Sequence, residues 1–546
     1  MPSYRRGKAD RRVPGLALAW LGMALLAAGP PRGEESKPPR PANIVAKPAY
    51  LDSMIQEAWQ EAGIKPSPMA SDAEYLRRVY LDIVGRIPSV QEAVAFLETK
   101  DAHRREKLVE HLLASPDYAK NFGTIWEILL VGRKRQERDV DKEALRNWLR
   151  RQFAENRPWN ELAYDLITAT GSNKENGAVN YTLAHLEFGA VPLTSITTRV
   201  FLGQQLQCTQ CHDHPTNDWK QRDFWGINAF FKGIKTERVE KTDSSGAEVY
   251  DHTELRDEPT AAYSTYERRN AYVEIAFPTF IDGRKISQGT DVNRREALGK
   301  FITEPENDQF ARAFVNRMWA HFLGRGFVHP VDDFGPHNEA SHPELLDKLA
   351  ADFKASGYDI KTLIRWITSS RAYNLSSAAT KENEKDETLF SHMAIKPMTP
   401  EQLFDSLLVA TQAHQAGGGD HEKRREQWLK KFIFTFANDE EQESSIFQGT
   451  IPQALMMMNG DLMEEATGGK PGSFLAKLLD QARAQRRVRP DVFVINHLFL
   501  AALSRQPTAR EMTETRKFLG SNPDPIGVIE DIFWALLNSN EFILNH

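Results

Sequence analysis

The sequence predicts a mainly α protein, with two helical domains joined by a short β-containing connector. Three observations predict it. Helix-start signatures recur along the chain, and apolar residues follow them at three- and four-residue spacing. Strand-like alternation is confined to residues 236–290. The chain has 546 residues, 41% hydrophobic and 26% charged, with 11 Trp and 29 Phe, which is enough apolar material for a packed core.

The first element is a leader. Arg5, Arg6, Lys8, Arg11 and Arg12 precede an apolar stretch from Leu16 to Ala28. That stretch has the length of a signal-peptide core and is short for a bilayer span. Residues 1–33 therefore read as a signal peptide, or as an anchor if uncleaved. The mature chain is expected to begin after residue 26 and to be exported, to the periplasm or the cell surface. The Pro, Lys and Glu of residues 34–49 read as a flexible tether. Removing residues 1–33 leaves 63 basic against 74 acidic residues, a net −11. An acidic chain is ill suited to nucleic acid, whose phosphates demand clustered Lys and Arg. No second apolar run has membrane length, so no membrane span is expected beyond an N-terminal anchor, if the leader is kept.

Helices follow over residues 50–235. Ser71-Asp72-Ala73-Glu74 and Ser89-Val90-Gln91-Glu92 have the form of capping boxes. Residues 236–290 form the connector. Asp243-Ser244-Ser245-Gly246 is a turn cluster between extended stretches, which predicts a hairpin. Tyr272 to Phe277 alternates like a strand and stops at Pro278. The second helical domain covers residues 291–546. It carries three further capping-box patterns, starting at Ser341, Thr399 and Thr508. Gly417-Gly418-Gly419 reads as a loop; without a following Lys-Ser or Lys-Thr it is no phosphate cradle.

The sharpest chemistry lies in Cys208-Thr209-Gln210-Cys211-His212. These are the only two cysteines of the chain. Chance would put two cysteines three apart, with His next, about once in ten thousand such compositions. The pattern is that of c-type haem attachment. Two thiols bond the porphyrin edge, and the adjacent His212 becomes an axial iron ligand. Two other readings use the same residues. One is a Cys208–Cys211 disulfide, which an exported location favours. The other is a zinc site of Cys208 and Cys211 with His212 or His214, completed by Asp213 or Asp218. His214, two residues from His212, is poorly placed to reach the far side of a porphyrin. A distal ligand would come from elsewhere, and Met456, Met457 and Met458 read more naturally as packing. Trp219, Phe224, Trp225, Phe230 and Phe231 either line a haem pocket or belong to the core.

A second cluster is His329-Pro330-Val331-Asp332-Asp333-Phe334-Gly335-Pro336-His337. Asp332, Asp333 and His337 are residue types that bind metals or transfer protons. The same residues make a structured loop, with Asp capping backbone amides and Gly335-Pro336 turning the chain. The loop reading is preferred. His342 falls near the first turn of the next helix.

These words together resemble a planctomycete two-domain family, in which a cytochrome-type domain (domain of unknown function 1549) precedes domain of unknown function 1553. The first resemblance runs from about Tyr50 to Ile234. It rests on Tyr80-Leu81-Asp82-Ile83-Val84-Gly85-Arg86-Ile87-Pro88, Phe201-Leu202-Gly203, the cysteine motif with Asp213-His214-Pro215, and Asp223-Phe224-Trp225-Gly226. The second runs from about Arg294 to His546. It rests on Asn316 to Gly326, Asp332-Asp333-Phe334-Gly335, Ser341 to Asp347, Ser370-Arg371-Ala372-Tyr373, Leu503 to Thr508 and Asn538 to Phe542. Thr216 departs from the family, which usually has an aromatic there. The resemblance implies an exported, haem-linked protein and no established reaction.

Three function classes follow. The first is a c-type haem protein in electron transfer, with haem c held by Cys208, Cys211 and His212 and a redox or envelope partner. The second is a non-redox interaction or scaffold protein with a disulfide or metal staple at Cys208 and Cys211. The third is a metal-dependent hydrolase using Asp332, Asp333 and His337.

Overall fold

A computed structural model describes residues 46–133, 139–215, 217–258, 263–286, 292–415, 420–436, 460–469, 471–484 and 489–546. The leader, Gly417–Gly419 and Met456–Met458 lie outside the described residues. The protein is mainly helical, with a strand-containing region between two helical segments.

Local sequence explains where many helices start. Ser89 accepts from the Glu92 amide, and the Glu92 carboxylate accepts from the Ser89 amide, which opens helix Val90–Glu98. Thr399 with Gln402 and Thr508 with Glu511 do the same for helices Pro400–Thr411 and Ala509–Ser521. Ser71 caps helix Asp72–Val84 through the Glu74 amide, but the Glu74 carboxylate does not return to Ser71. It accepts instead from Arg78 and from the Ser377 amide. At Ser341 the expected box does not form. Helix Pro343–Ala355 begins two residues later with His342 as its cap, and the Ser341 hydroxyl pairs with His342 Nδ1 at 3.0 Å. Pro343 at the first helical position fixes the start.

The connector holds a long antiparallel hairpin. Strands β2 (Ile234–Thr242) and β3 (Glu248–Asp257) flank the Asp243–Gly246 turn. Two residues of the first helical segment, β1 (Gly171–Ser172), extend this sheet in the order β1-β3-β2. A second hairpin pairs β4 (Ser264–Glu267) with β5 (Val273–Ala276). Strands β6 (Lys396–Pro397) and β7 (Leu544–Asn545) form a third, very short pair.

The two helical segments share one core. Trp159, from the first, stacks on Phe314 of the second at 4.4 Å between ring centroids and on Phe310 at 6.0 Å. Trp126 joins the stack 4.5 Å from Trp159. A buried polar knot lies at the same junction. The Asp82 carboxylate accepts from Lys396 Nζ at 2.7 Å, from the Tyr373 hydroxyl at 2.8 Å and from Asn545 Nδ2 at 2.8 Å. Lys396 also donates to the His321 and Phe322 carbonyls, and burial lowers its pKa. Arg78 is fully buried beside it and donates to the Tyr373 carbonyl; Arg77, equally buried, donates to the carbonyls of Ala502 and Phe542.

Candidate functional site: two exposed thiols and a docked loop

Helix Glu187–Leu202 ends at Gly203, in the left-handed conformation at φ 64°. A side chain there would meet the Phe334 ring at 2.7 Å, so glycine is required twice over. A 3₁₀ turn, Leu206–Gln210, follows. Leu206 is wholly buried and anchors it, and the buried Thr209 hydroxyl donates back to the Leu206 carbonyl at 2.7 Å. In a 3₁₀ turn, side chains three apart eclipse one another. Cys208 and Cys211 therefore share one edge of the turn. Both thiols are exposed and unpaired.

The Gln210 carbonyl ends the turn. It accepts from Gln221 Nε2 and from Trp225 Nε1, each at 3.1 Å. Next, His212 Nδ1 lies 2.6 Å from the Asp213 carbonyl oxygen. A carbonyl only accepts, so Nδ1 is the donor here, and Nε2 is the ring nitrogen left to face an outside group. The Asp213 carboxylate accepts from the Gln221 amide, which opens helix Gln221–Asn228, and Lys220 lies 3.7 Å away. The amide bond and the nearby lysine hold the Asp213 carboxyl below its usual range.

The Asp332–His337 loop docks against the residues on either side of this motif. The Phe334 amide donates to the Gly203 carbonyl at 2.9 Å. Asp332 accepts from Gln205 Nε2 at 3.1 Å and lies 3.6 Å from Arg199. His337 Nε2 pairs with Asp333 Oδ1 at 3.1 Å. The His337 ring sits 6.1 Å from the His214 ring, tilted by 30°. Desolvation and the charge of His337 lower the His214 pKa. Buried Asn316 fixes the loop's entry by bonding the Val328 amide and the Val328 and Val331 carbonyls. The acids are thus engaged in holding the loop. Among the described residues, no three His, Cys, Asp or Glu side chains are grouped to hold a metal ion.

Of the candidate pocket aromatics, Phe224, Phe230 and Phe231 are core residues, at 0%, 1% and 3% exposure. Trp225 is half-buried and lies flat on Tyr266 of β4, 6.0 Å between centroids and 4° between planes. Gln221 also escaped sequence reading. Its signal was its spacing: Gln221 and Trp225, four apart, lie on one helical face.

The family described as Protein of unknown function (DUF1549), PSCyt2, matches residues 50–236. Protein of unknown function (DUF1553), PSD1, matches residues 294–446. The chain belongs to this two-domain family. No curated protein and no solved structure matches it. The cysteine motif lies in the DUF1549 segment and the docked Asp332–His337 loop in the DUF1553 segment. The two family segments therefore meet beside the motif.

Proposed function

We propose that this member of the DUF1549–DUF1553 family is an exported c-type haem protein serving electron transfer or a redox partner. The observation that carries the reading is the motif's geometry: two unpaired, exposed thiols on one edge of a turn, followed by an imidazole whose Nδ1 is tied to the Asp213 carbonyl and whose Nε2 is not. Cys208 and Cys211 would hold the haem by thioether bonds, and His212 Nε2 would be the axial donor. The donor set fits the group. The Phe224–Phe231 aromatics do not contribute a pocket, because the core already occupies three of them. Bound haem would supply one-electron chemistry. The chain's own part is to present the thiols on a short 3₁₀ turn and to hold the His212 ring by its Nδ1 contact with the Asp213 carbonyl. Among the described residues, no helix is long and apolar enough to cross a membrane.

The test is the full chain matured in a host that attaches c-type haem. Expected are a Soret band and a haem mass that survive denaturation. Cys208→Ser with Cys211→Ser abolishes both, and His212→Ala changes the low-spin spectrum while leaving the attachment. A colourless protein of unmodified mass overturns the reading.

A second reading, an interaction protein with a Cys208–Cys211 disulfide, is favoured by the outer face of the β4–β5 hairpin. Tyr272, Val273 and Ile275 are 70%, 68% and 56% exposed there. In that case the same mass spectrum falls two hydrogens below the dithiol.

A further inference from the structure

We infer that Gln221 and Trp225 are positioning residues for the thiol pair, acting through the carbonyl of Gln210. This rests on the reading of Cys208 and Cys211 as a two-point attachment site. The argument begins with the carbonyl. A carbonyl at the end of a helical turn must find a donor. Left alone, it takes the next amide along the chain, and the turn continues. Here two side chains supply the donors from outside, both at 3.1 Å. The turn therefore stops at Gln210, so Cys211 closes it and His212 leaves it.

The donors are themselves held. The Gln221 amide group spends a second N–H on the Glu267 carbonyl at 3.0 Å, and Gln221 is only 7% exposed. The Trp225 ring is stacked on Tyr266, whose hydroxyl donates to Glu274 across the hairpin at 2.6 Å. The β4–β5 hairpin thus acts as a jig for the two donors, and they fix the spacing of the thiols. Thr209 Oγ1 pins the start of the same turn from within. The pair is accordingly preorganised for a ligand that must bond both sulfurs at once.

The probe is a trivalent arylarsenoxide acting on the reduced full chain. It forms two As–S bonds, and its oxygen leaves as water with the two thiol protons. Iodoacetamide, which takes one thiol at a time, is the control. Trp225→Phe keeps a ring on Tyr266 and removes only the donor. Gln221→Leu removes the other donor. Each should weaken arsenical binding about threefold, and the double variant about tenfold. Alkylation rates should stay within about twofold of the parent, since exposure of the single thiols is unchanged. A residue with a merely structural role would shift both reactions together or neither. Arsenical affinity that is unchanged in Trp225→Phe and in the double variant overturns the proposal, as does an equal fall in both reactions. Should the parent fail to acquire haem while the arsenical split persists, the haem reading fails and the positioning role stands.

Discussion

Asp82 accepts three hydrogen bonds while almost wholly buried, and one of them comes from the Lys396 ammonium. A buried ion pair adds little net stability, but breaking one side leaves an uncompensated charge. Asp82→Asn should therefore cost about 3–5 kcal/mol in urea unfolding. Adding Lys396→Met should recover most of that loss, because the stranded charge goes with it. A double variant no more stable than Asp82→Asn would refute this account. The same residues explain what the family words do. Asp82, His321 and Tyr373 come from three separate words and meet in this knot. Their presence was legible in the sequence. Their meeting was not, since the Tyr373 and Asn545 partners of Asp82 lie 291 and 463 positions away and no local pattern encodes such a pairing.

At the scale of elements, start signals were legible wherever hydrogen bonding is local. Ser89, Thr399 and Thr508 each reach an amide three residues on, so the pattern alone suffices. Ser341 shows where that reasoning fails. Its pattern is the same, yet Pro343 starts the helix and the hydroxyl is taken by His342. The contrast is measurable. Thr399→Ala should cost about 1 kcal/mol. Ser341→Ala should cost less than about 0.5 kcal/mol, since no cap is lost. Equal losses in denaturant titrations would show that Ser341 caps after all. The cysteine motif was legible as a local pattern, since its two thiols stand three residues apart. The Asp332–His337 loop was legible as a loop; its seat beside the motif depends on Gly203, Gln205 and Phe334 meeting in space.

The molecule as a whole ties its two family segments into one core. Trp159 finds its stacking faces on Phe310 and Phe314, and Asp82 finds its countercharge on Lys396. Residues 46–290 made alone should therefore lack a cooperative melt and bind a hydrophobic dye, and a sharp thermal transition in that fragment would contradict the shared core. The 463-residue separation between Asp82 and Asn545 also sets a clock. A ribosome adding 5–20 residues per second needs roughly 20–90 s to travel from one to the other. For that interval the Asp82 carboxylate has no Asn545 to bond, and for most of it no Lys396. The early part of the chain thus waits, open, for the late part to be made.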